Sequence, residues 1–350
     1  MRQSRKSDHL EHSAMLADGP ETTGFADFRL IHNCLPNMAW EDIDLSTAVA
    51  GITLPHPLII NAITGGAPDV SGINARLAEL ACRTGAAMAV GSQFAALENP
   101  AVQDSYTIAR QNNPNGTLWA NLGAHTSPGD ARRAVGMIGA SAIQIHLNVA
   151  QELIMAEGDR DFRNYLANIA AIVAVSDVPV IVKEVGCGIA REQAAALMEA
   201  GVRAIDIGGA GGTNFMGIEA ARSGVELAPE LLEWGLPTAI SAVEVASVLR
   251  PGVDFIVSGG IRTPMDAVIS LALGGRAVAV AGPLVKLLLQ QGVPAAESWI
   301  DNFLDGLKRF MMLVGARRTT DLTGVPLVIT GASREWLTAR SIDTSKYATR

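Results

Sequence analysis

Aromatic residues make up only 5% of this 350-residue chain and charged residues only 18%, below the quarter usual for soluble domains. With so few rings, the core must be built from Ala, Val, Ile and Leu, as buried parallel strands and their covering helices require. Hydrophobic residues reach 49%, which excludes a disordered chain, and the scarcity of charge points to surface buried between subunits. A basic surplus is missing too. The 27 Lys and Arg against 35 Asp and Glu leave a net charge of -8, without the footprint of a nucleic-acid binder, although a local basic patch could still hold a phosphate. Cys34, Cys82 and Cys187 are widely separated with no CxxC spacing, so neither a disulfide framework nor a zinc site is expected. No apolar run approaches membrane-spanning length, and the charged N-terminus MRQSRKSDHLEH has no apolar segment behind it. These absences predict a cytoplasmic protein without a membrane partner.

What is present is a rhythm. Short β-rich runs ending in Gly, Ser, Asn or Thr fall at residues 57–64, 86–92, 117–123, 142–148, 179–186, 204–209, 254–260 and 277–282. Most start about 23 to 37 residues apart, room for a helix and two loops. Between them, SGINARLAELACRTGA and REQAAALMEAGV space apolar residues by three and four and stop at Gly85 and Gly201. Eight such units predict a (β/α)8 TIM barrel within a single domain spanning 1–350. Residues 1–55 form an arm covering the barrel bottom or reaching its mouth, 56–290 the barrel, and 291–350 a closing helix (about 295–315) and tail. The longer interval between the sixth and seventh strands reads as an extended loop or flap, with the next helix starting near Ser241. A doubly wound sheet is the alternative, but no strand is followed by GxGxxG opening a helix.

Barrel chemistry sits where strands end. After the seventh strand, Gly259, Gly260, Ile261 and Arg262 lead into Thr263-Pro264, a cap and first turn that aim a helix N-terminus at an anion. Ala281, Gly282 and Pro283 repeat the device one strand on, so the pair reads as a phosphate site. Ala62, Ile63 and Thr64 after the first strand, Ser92 after the second and Asn121 in the third offer small or neutral hydrogen-bonding groups. Lys183 stands in the otherwise apolar run VPVIVKEVG, costly to bury unless it meets an anion. Singly each is an ordinary core polar residue; jointly they describe a cradle for flavin mononucleotide (FMN). The fourth strand, IQIHLNVAQE, places His146 and Asn148 on one face, with Gln151 and Glu152 just beyond. One carboxylate, water and a substrate phosphate suit Mg2+, and Glu152 is its candidate ligand. From composition alone, Arg5 and Lys6 belong to a solvated tail.

The segments RKSDH, ITGG, GSQ, ANLG, QIHLNVAQE, VKEVG, DIGGAGGTNF, SGGIR and AVAVAG, in this order, resemble type 2 isopentenyl-diphosphate Δ-isomerase over nearly the whole chain. The combination of HLNxxQE with GGTNF is specific; SGG-R occurs in many FMN barrels. The resemblance implies an FMN barrel that interconverts isopentenyl and dimethylallyl diphosphate for isoprenoid precursor biosynthesis. It also implies Mg2+, reduced FMN commonly generated with NADPH, and a homo-oligomer, tetramer or octamer. By the same resemblance, Arg5, Lys6, His146, Asn148 and Gln151 contact the diphosphate substrate and Glu152 holds Mg2+. Ala62, Ile63, Thr64, Ser92, Asn121, Lys183, Thr213, Gly259, Gly260, Ile261, Arg262, Ala281 and Gly282 bind FMN. His146 and Gln151 position the substrate while reduced FMN supplies the acid and base.

Two positions depart from the family pattern. Phe94 stands where many relatives carry Arg after the GSQ-like turn, and Ile63 replaces the commoner Met. A 2-hydroxy-acid oxidase shares the barrel, the Lys and the phosphate turn, but needs a His and a nearby Arg after the sixth strand, where this chain has GGAGGTNF. A binding barrel without catalysis would leave HLNVAQE without a task.

Overall fold

A computed structural model describes residues 19, 21–67 and 70–350. Arg5 and Lys6 therefore lie outside the described residues.

Eight parallel strands close into a barrel: β1 (Leu58–Ile60), β2 (Ala87–Ala89), β3 (Leu118–Gly123), β4 (Ala142–Leu147), β5 (Val180–Glu184), β6 (Ala204–Asp206), β7 (Asp254–Ser258) and β8 (Ala277–Val280). Each pairs with its sequence neighbour, and β8 closes on β1 through the register Val278↔Leu58. The expected TIM barrel is present. Several strands are shorter than their apolar runs, because the chain leaves the ladder before the Gly-rich turns and carries those residues into loops at the mouth.

Alternation along the strands divides two cores. Leu58, Ile60, Met88, Leu118, Ile143, Ile145, Val182, Ile205, Phe255, Val257 and Val278 pack outward against the helices. Ile59, Ala87, Ala89, Trp119, Ala142, Ile181, Ala204, Ile256, Ala277 and Ala279 fill the interior. A hairpin of Thr47–Val49 and Ile52–Leu54 adds Val49 and Leu54 to that interior cluster and plugs the barrel bottom. Above these apolar layers the same inward face turns polar: Asn61, Asn121, Gln144, Lys183, Asp206 and Ser258 are all buried.

The interval after β6 is not an extended flap. It folds as helices Phe215–Ser223, Pro229–Leu232 and Thr238–Ala246, the first capped by the Asn214 side chain on the Gly217 N–H. The closing helix runs Val293–Val314 and packs on helices Ser71–Thr84, Pro264–Ala272 and Gly282–Gln291. Phe28–Leu30 pairs antiparallel with Leu327–Ile329, tying the start of the described chain to the C-terminal tail. Among the described residues, no helix is long and apolar enough to cross a membrane.

Candidate active site

Two cavities open side by side at the carboxyl ends of the strands. Both are lined by Ala62, Ile63, Lys183, Val185 and Phe215. The narrower one, about 80 Å³, lies over β6–β8 and adds Thr213, Gly259, Gly260, Ile261, Arg262, Ala281 and Gly282 to its wall. The wider one, about 360 Å³, adds Ser92, Phe94, Asn121, His146, Asn148, Gln151 and Glu152.

The narrower wall combines glycine-rich backbone with the cations Lys183 and Arg262 and the Glu184 carboxyl group. Thr263 caps helix Pro264–Ala272 with a reciprocal Thr263–Asp266 capping box. Helix Gly282–Gln291 starts at Ala281 with no side-chain cap, so its first N–H groups face the cavity side without a side-chain acceptor. Gly259 and Gly260 have φ of 101° and 70°, and a Cβ on Gly259 would lie 2.0 Å from the Gly209 carbonyl oxygen. Close packing of the β6 and β7 turns demands glycine there independently of any phosphate. The Arg262 guanidinium donates to the Gly260 and Gly211 carbonyls at 2.8 Å each, which holds those turns together.

Lys183 is 7% exposed, and among the described residues its ammonium donates to the Glu184 carbonyl at 2.9 Å. The adjacent Glu184 carboxyl attracts it electrostatically, and Lys183 lines both cavities. A buried cation hydrogen-bonded to a neutral oxygen, beside bare helix N–H groups, has the donor chemistry of a cradle for an anionic phosphorylated cofactor. The residues present fit FMN. Thr64 stands apart: it is buried, lines neither cavity, and its hydroxyl has no hydrogen-bond partner among the described residues.

Glu184 follows Lys183 and gathers the N–H groups of Gly186, Cys187 and Gly188 onto one carboxylate oxygen, fixing the loop after β5. Burial pushes its pKa up to about 7, against the pull of those N–H groups and of Lys183. Burial, together with the Glu184 charge, also lifts the Cys187 thiol to about 12, so it is no nucleophile.

The wider wall carries side chains held by partners. His146 in β4 meets Asn121 Oδ1 through Nδ1 at 2.9 Å. Asn148 does not share the strand face with His146. It is the N-cap residue of helix Val149–Ile154, whose first turn carries Gln151 and Glu152. The Asn148 amide donates to Glu152 Oε1 at 2.8 Å, and the Asp159 N–H donates to Oε2 at 2.9 Å. Gln151 donates to Glu219 Oε1 at 2.8 Å, a carboxylate fully buried on helix Phe215–Ser223 and bound at its other oxygen by Arg222. Sequence reading missed Glu219. The signal was there: a Glu among Met216, Ile218 and Ala220 with Arg222 three residues on. Phe94 packs edge-on against His125 at 5.1 Å, so an apolar ring occupies the position where an Arg was the family pattern. Among the described residues, no group of three or more acidic, His or Cys side chains could hold a metal unaided. Glu152 fits a site completed by water and phosphate oxygens, because each of its oxygens accepts one protein hydrogen bond and keeps a lone pair.

Comparison with known proteins decides the family. Over the whole chain and 99% of its relative, the sequence is 46% identical to isopentenyl-diphosphate delta-isomerase of Symbiobacterium thermophilum. The chain belongs to the isopentenyl-diphosphate delta-isomerase family. It is also 48% identical to the enzyme of that name from Moorella thermoacetica, over 96% of each chain. Residues 148–327 match the family model described as FMN-dependent dehydrogenase, which fits the FMN-dependent, type 2 branch. Among solved structures, mandelate oxidase with (S)-2-phenylpropionate superposes with a TM-score of 0.67 over 93% of this chain and 97% of that one. At 17% identity that likeness shows the barrel fold alone.

Proposed function

We propose that this enzyme interconverts isopentenyl and dimethylallyl diphosphate by a 1,3-allylic proton shift, with FMN in the narrower cavity and the substrate in the wider one. One observation carries the reading: the two cavities share the wall of Ala62, Ile63, Lys183, Val185 and Phe215, so a cofactor held in one would adjoin a substrate held in the other. A proton is added to the terminal alkene carbon and another is lost from the neighbouring CH2, which leaves atoms and electrons balanced. The alkene is unactivated, so the acid and base must be held against it. Reduced FMN, generated with NADPH and held by Lys183 and the glycine turns of the narrower cavity, would supply that acid and base.

The residues of the chain bind and orient. Lys183 places a positive charge at the shared wall, where it offsets negative charge on an occupant of the narrower cavity. His146, Asn148 and Gln151 line the wider cavity and are assigned to the substrate diphosphate; Arg5 and Lys6, outside the described residues, are assigned to it by the family resemblance. Glu152 would hold Mg2+ against the diphosphate, an ion that neutralises phosphate charge when bound. Residues 207–215 contain neither His nor Arg, so the base and carboxylate clamp of a 2-hydroxy-acid oxidase are missing from that segment despite the shared barrel. Exposed Leu153, Leu166, Val225, Leu231 and Trp234 supply apolar surface for a homo-oligomer in the cytoplasm.

The test is product analysis of the protein incubated with isopentenyl diphosphate, FMN, Mg2+ and a reductant, beside lactate and mandelate controls. Dimethylallyl diphosphate is expected. Oxidation of the hydroxy acids without isomerisation would replace this reading with the oxidase one.

A further inference from the structure

Inside the barrel mouth, one layer of polar side chains forms an unbroken hydrogen-bonded chain. Ser258 Oγ and Asn61 Nδ2 both donate to the Asp206 carboxylate, the latter at 2.8 Å. Gln144 Nε2 donates to Asn61 Oδ1 at 3.1 Å, and Asn121 Nδ2 donates to Gln144 Oε1 at 3.0 Å. His146 Nδ1 closes the chain on Asn121 Oδ1 at 2.9 Å. The chain joins β7, β6, β1, β4 and β3, and Asp206, Gln144, Asn121 and Asn61 are all buried.

The direction of every bond is set at the far end, where Asp206 accepts from the Asn61 amide and the Ala62 N–H donates to Asn61 Oδ1 at 2.9 Å. Both Asp206 carboxyl oxygens accept, Oδ1 from Ser258 and Oδ2 from Asn61, so Asn61 turns its NH2 toward Asp206 and its carbonyl toward Gln144. That orients Gln144, which orients Asn121, which presents a carbonyl oxygen to His146. A carbonyl oxygen cannot donate, so His146 must carry its proton on Nδ1. Reversing one amide would oppose two donors or two acceptors in a buried site, a cost that keeps the chain one-way.

We propose that Asp206 is a positioning residue: through Asn61, Gln144 and Asn121 it locks His146 as the Nδ1–H tautomer, so that Nε2 is the nitrogen on which a second proton is gained toward the substrate diphosphate. The last clause rests on the isomerase reading; the tautomer itself does not. The chain gives a function to four buried polar residues, two of which (Gln144 and Asp206) belong to no cavity wall.

Ring-15N-histidine labelling reads the tautomer directly. Two-bond 15N–1H correlations at a pH about two units above the usual imidazole value should show His146, assigned by its loss in His146→Gln, as Nδ1–H. In Asp206→Asn the terminal amide can donate or accept and only the Ala62 N–H still holds Asn61 in its original direction, so a detectable Nε2–H population should appear. Gln144→Met, which keeps the volume and cuts the chain midway, should do the same, and covers the case in which Asp206→Asn does not fold. The double variant Asp206→Asn/Asn121→Asp puts an acceptor-only group beside His146 and lets every amide reverse, so the Nδ1–H form should return. In kinetics, Asp206→Asn should raise KM for isopentenyl diphosphate about tenfold, with kcat changed less, as for a weakened hydrogen bond to a charged group. Wild-type His146 found as Nε2–H, or a pure Nδ1–H form in both single variants, would overturn the relay. A shifted tautomer with KM unchanged would overturn its link to substrate. If the wild-type protein turns over no isopentenyl diphosphate, the isomerase reading fails, and the spectra still decide the relay.

Discussion

Asn148 and Glu152 stand one helical turn apart and join through a 2.8 Å amide-to-carboxylate hydrogen bond, with the Asp159 N–H on the other carboxylate oxygen. The carboxylate is thus aimed by its own helix start and by the loop that follows. Glu152→Gln keeps the shape and removes the charge. Mg2+ activation should shift to higher concentration and turnover should fall about a hundredfold, as when one strong electrostatic group leaves a site. FMN titration should be unaltered, since Glu152 is not on the narrower cavity's wall. A normal Mg2+ curve with near-normal turnover would remove Glu152 as the metal ligand.

Lys183→Ala should show the opposite emphasis. Its ammonium is the buried positive charge common to both cavity walls. Losing a charge-assisted contact should weaken FMN affinity roughly ten- to a hundredfold. An absorbance titration of FMN reads this, and the Mg2+ curve should keep its midpoint. FAD should bind far more weakly than FMN to either protein if, as proposed, the terminal phosphate of FMN seats at the Gly260 and Gly282 turns of the narrower cavity.

Gln151 owes its orientation to Glu219, which is itself held by Arg222 at 2.8 Å. Glu219→Gln leaves Arg222 without that buried countercharge, although Glu157 still pairs with it at 2.7 Å. The variant should lose about 1–3 kcal/mol of stability in denaturant titration. It should also lose turnover by about a hundredfold through misplacement of Gln151. Gln151→Ala should reproduce the kinetic loss with little of the stability loss, which separates the two effects.

Glu184 makes stability depend on pH. Its carboxyl titrates at about 7 in the folded protein against 4.5 ordinarily. Below about 4.5 it is protonated in both states. Between 4.5 and 7 the unfolded chain releases the proton while the folded one keeps it, so this group's contribution to stability falls as pH rises and levels off above 7. Glu184→Gln removes the titration while an amide oxygen can still accept the loop N–H groups. Relative to wild type, the variant should gain on the order of 3 kcal/mol between pH 4 and pH 8 in denaturant-unfolding curves. A pH-independent difference would place the proton elsewhere.

The barrel was legible because parallel strands buried on both faces leave continuous apolar runs, each ended by small residues at a fixed interval. The site was legible where a turn needs Gly or a helix needs a cap, as at Gly260 and Thr263. The helices after β6 were hidden, since Gly211, Gly212 and Gly217 read as loop, and the Asn214 side chain that caps the first helix also donates to the distant Leu232 carbonyl at 2.7 Å, a contact that spacing does not reveal. The polar layer was hidden for another reason. Asn61, Gln144, Asp206 and Ser258 each look like a lone polar residue in a strand, and only strand register brings them together. The position of Asn148 turned on one residue: β4 ends at Leu147, and the next peptide already belongs to the helix start.

The central claim is a proton shift without net redox change at a flavin. It is tested most directly by counting NADPH oxidised per dimethylallyl diphosphate formed, under strict anaerobic conditions with FMN and Mg2+. The account predicts no isomerisation until the flavin is reduced, then many turnovers for each NADPH consumed. Full activity with oxidised FMN, or one NADPH lost for every product molecule, would contradict it.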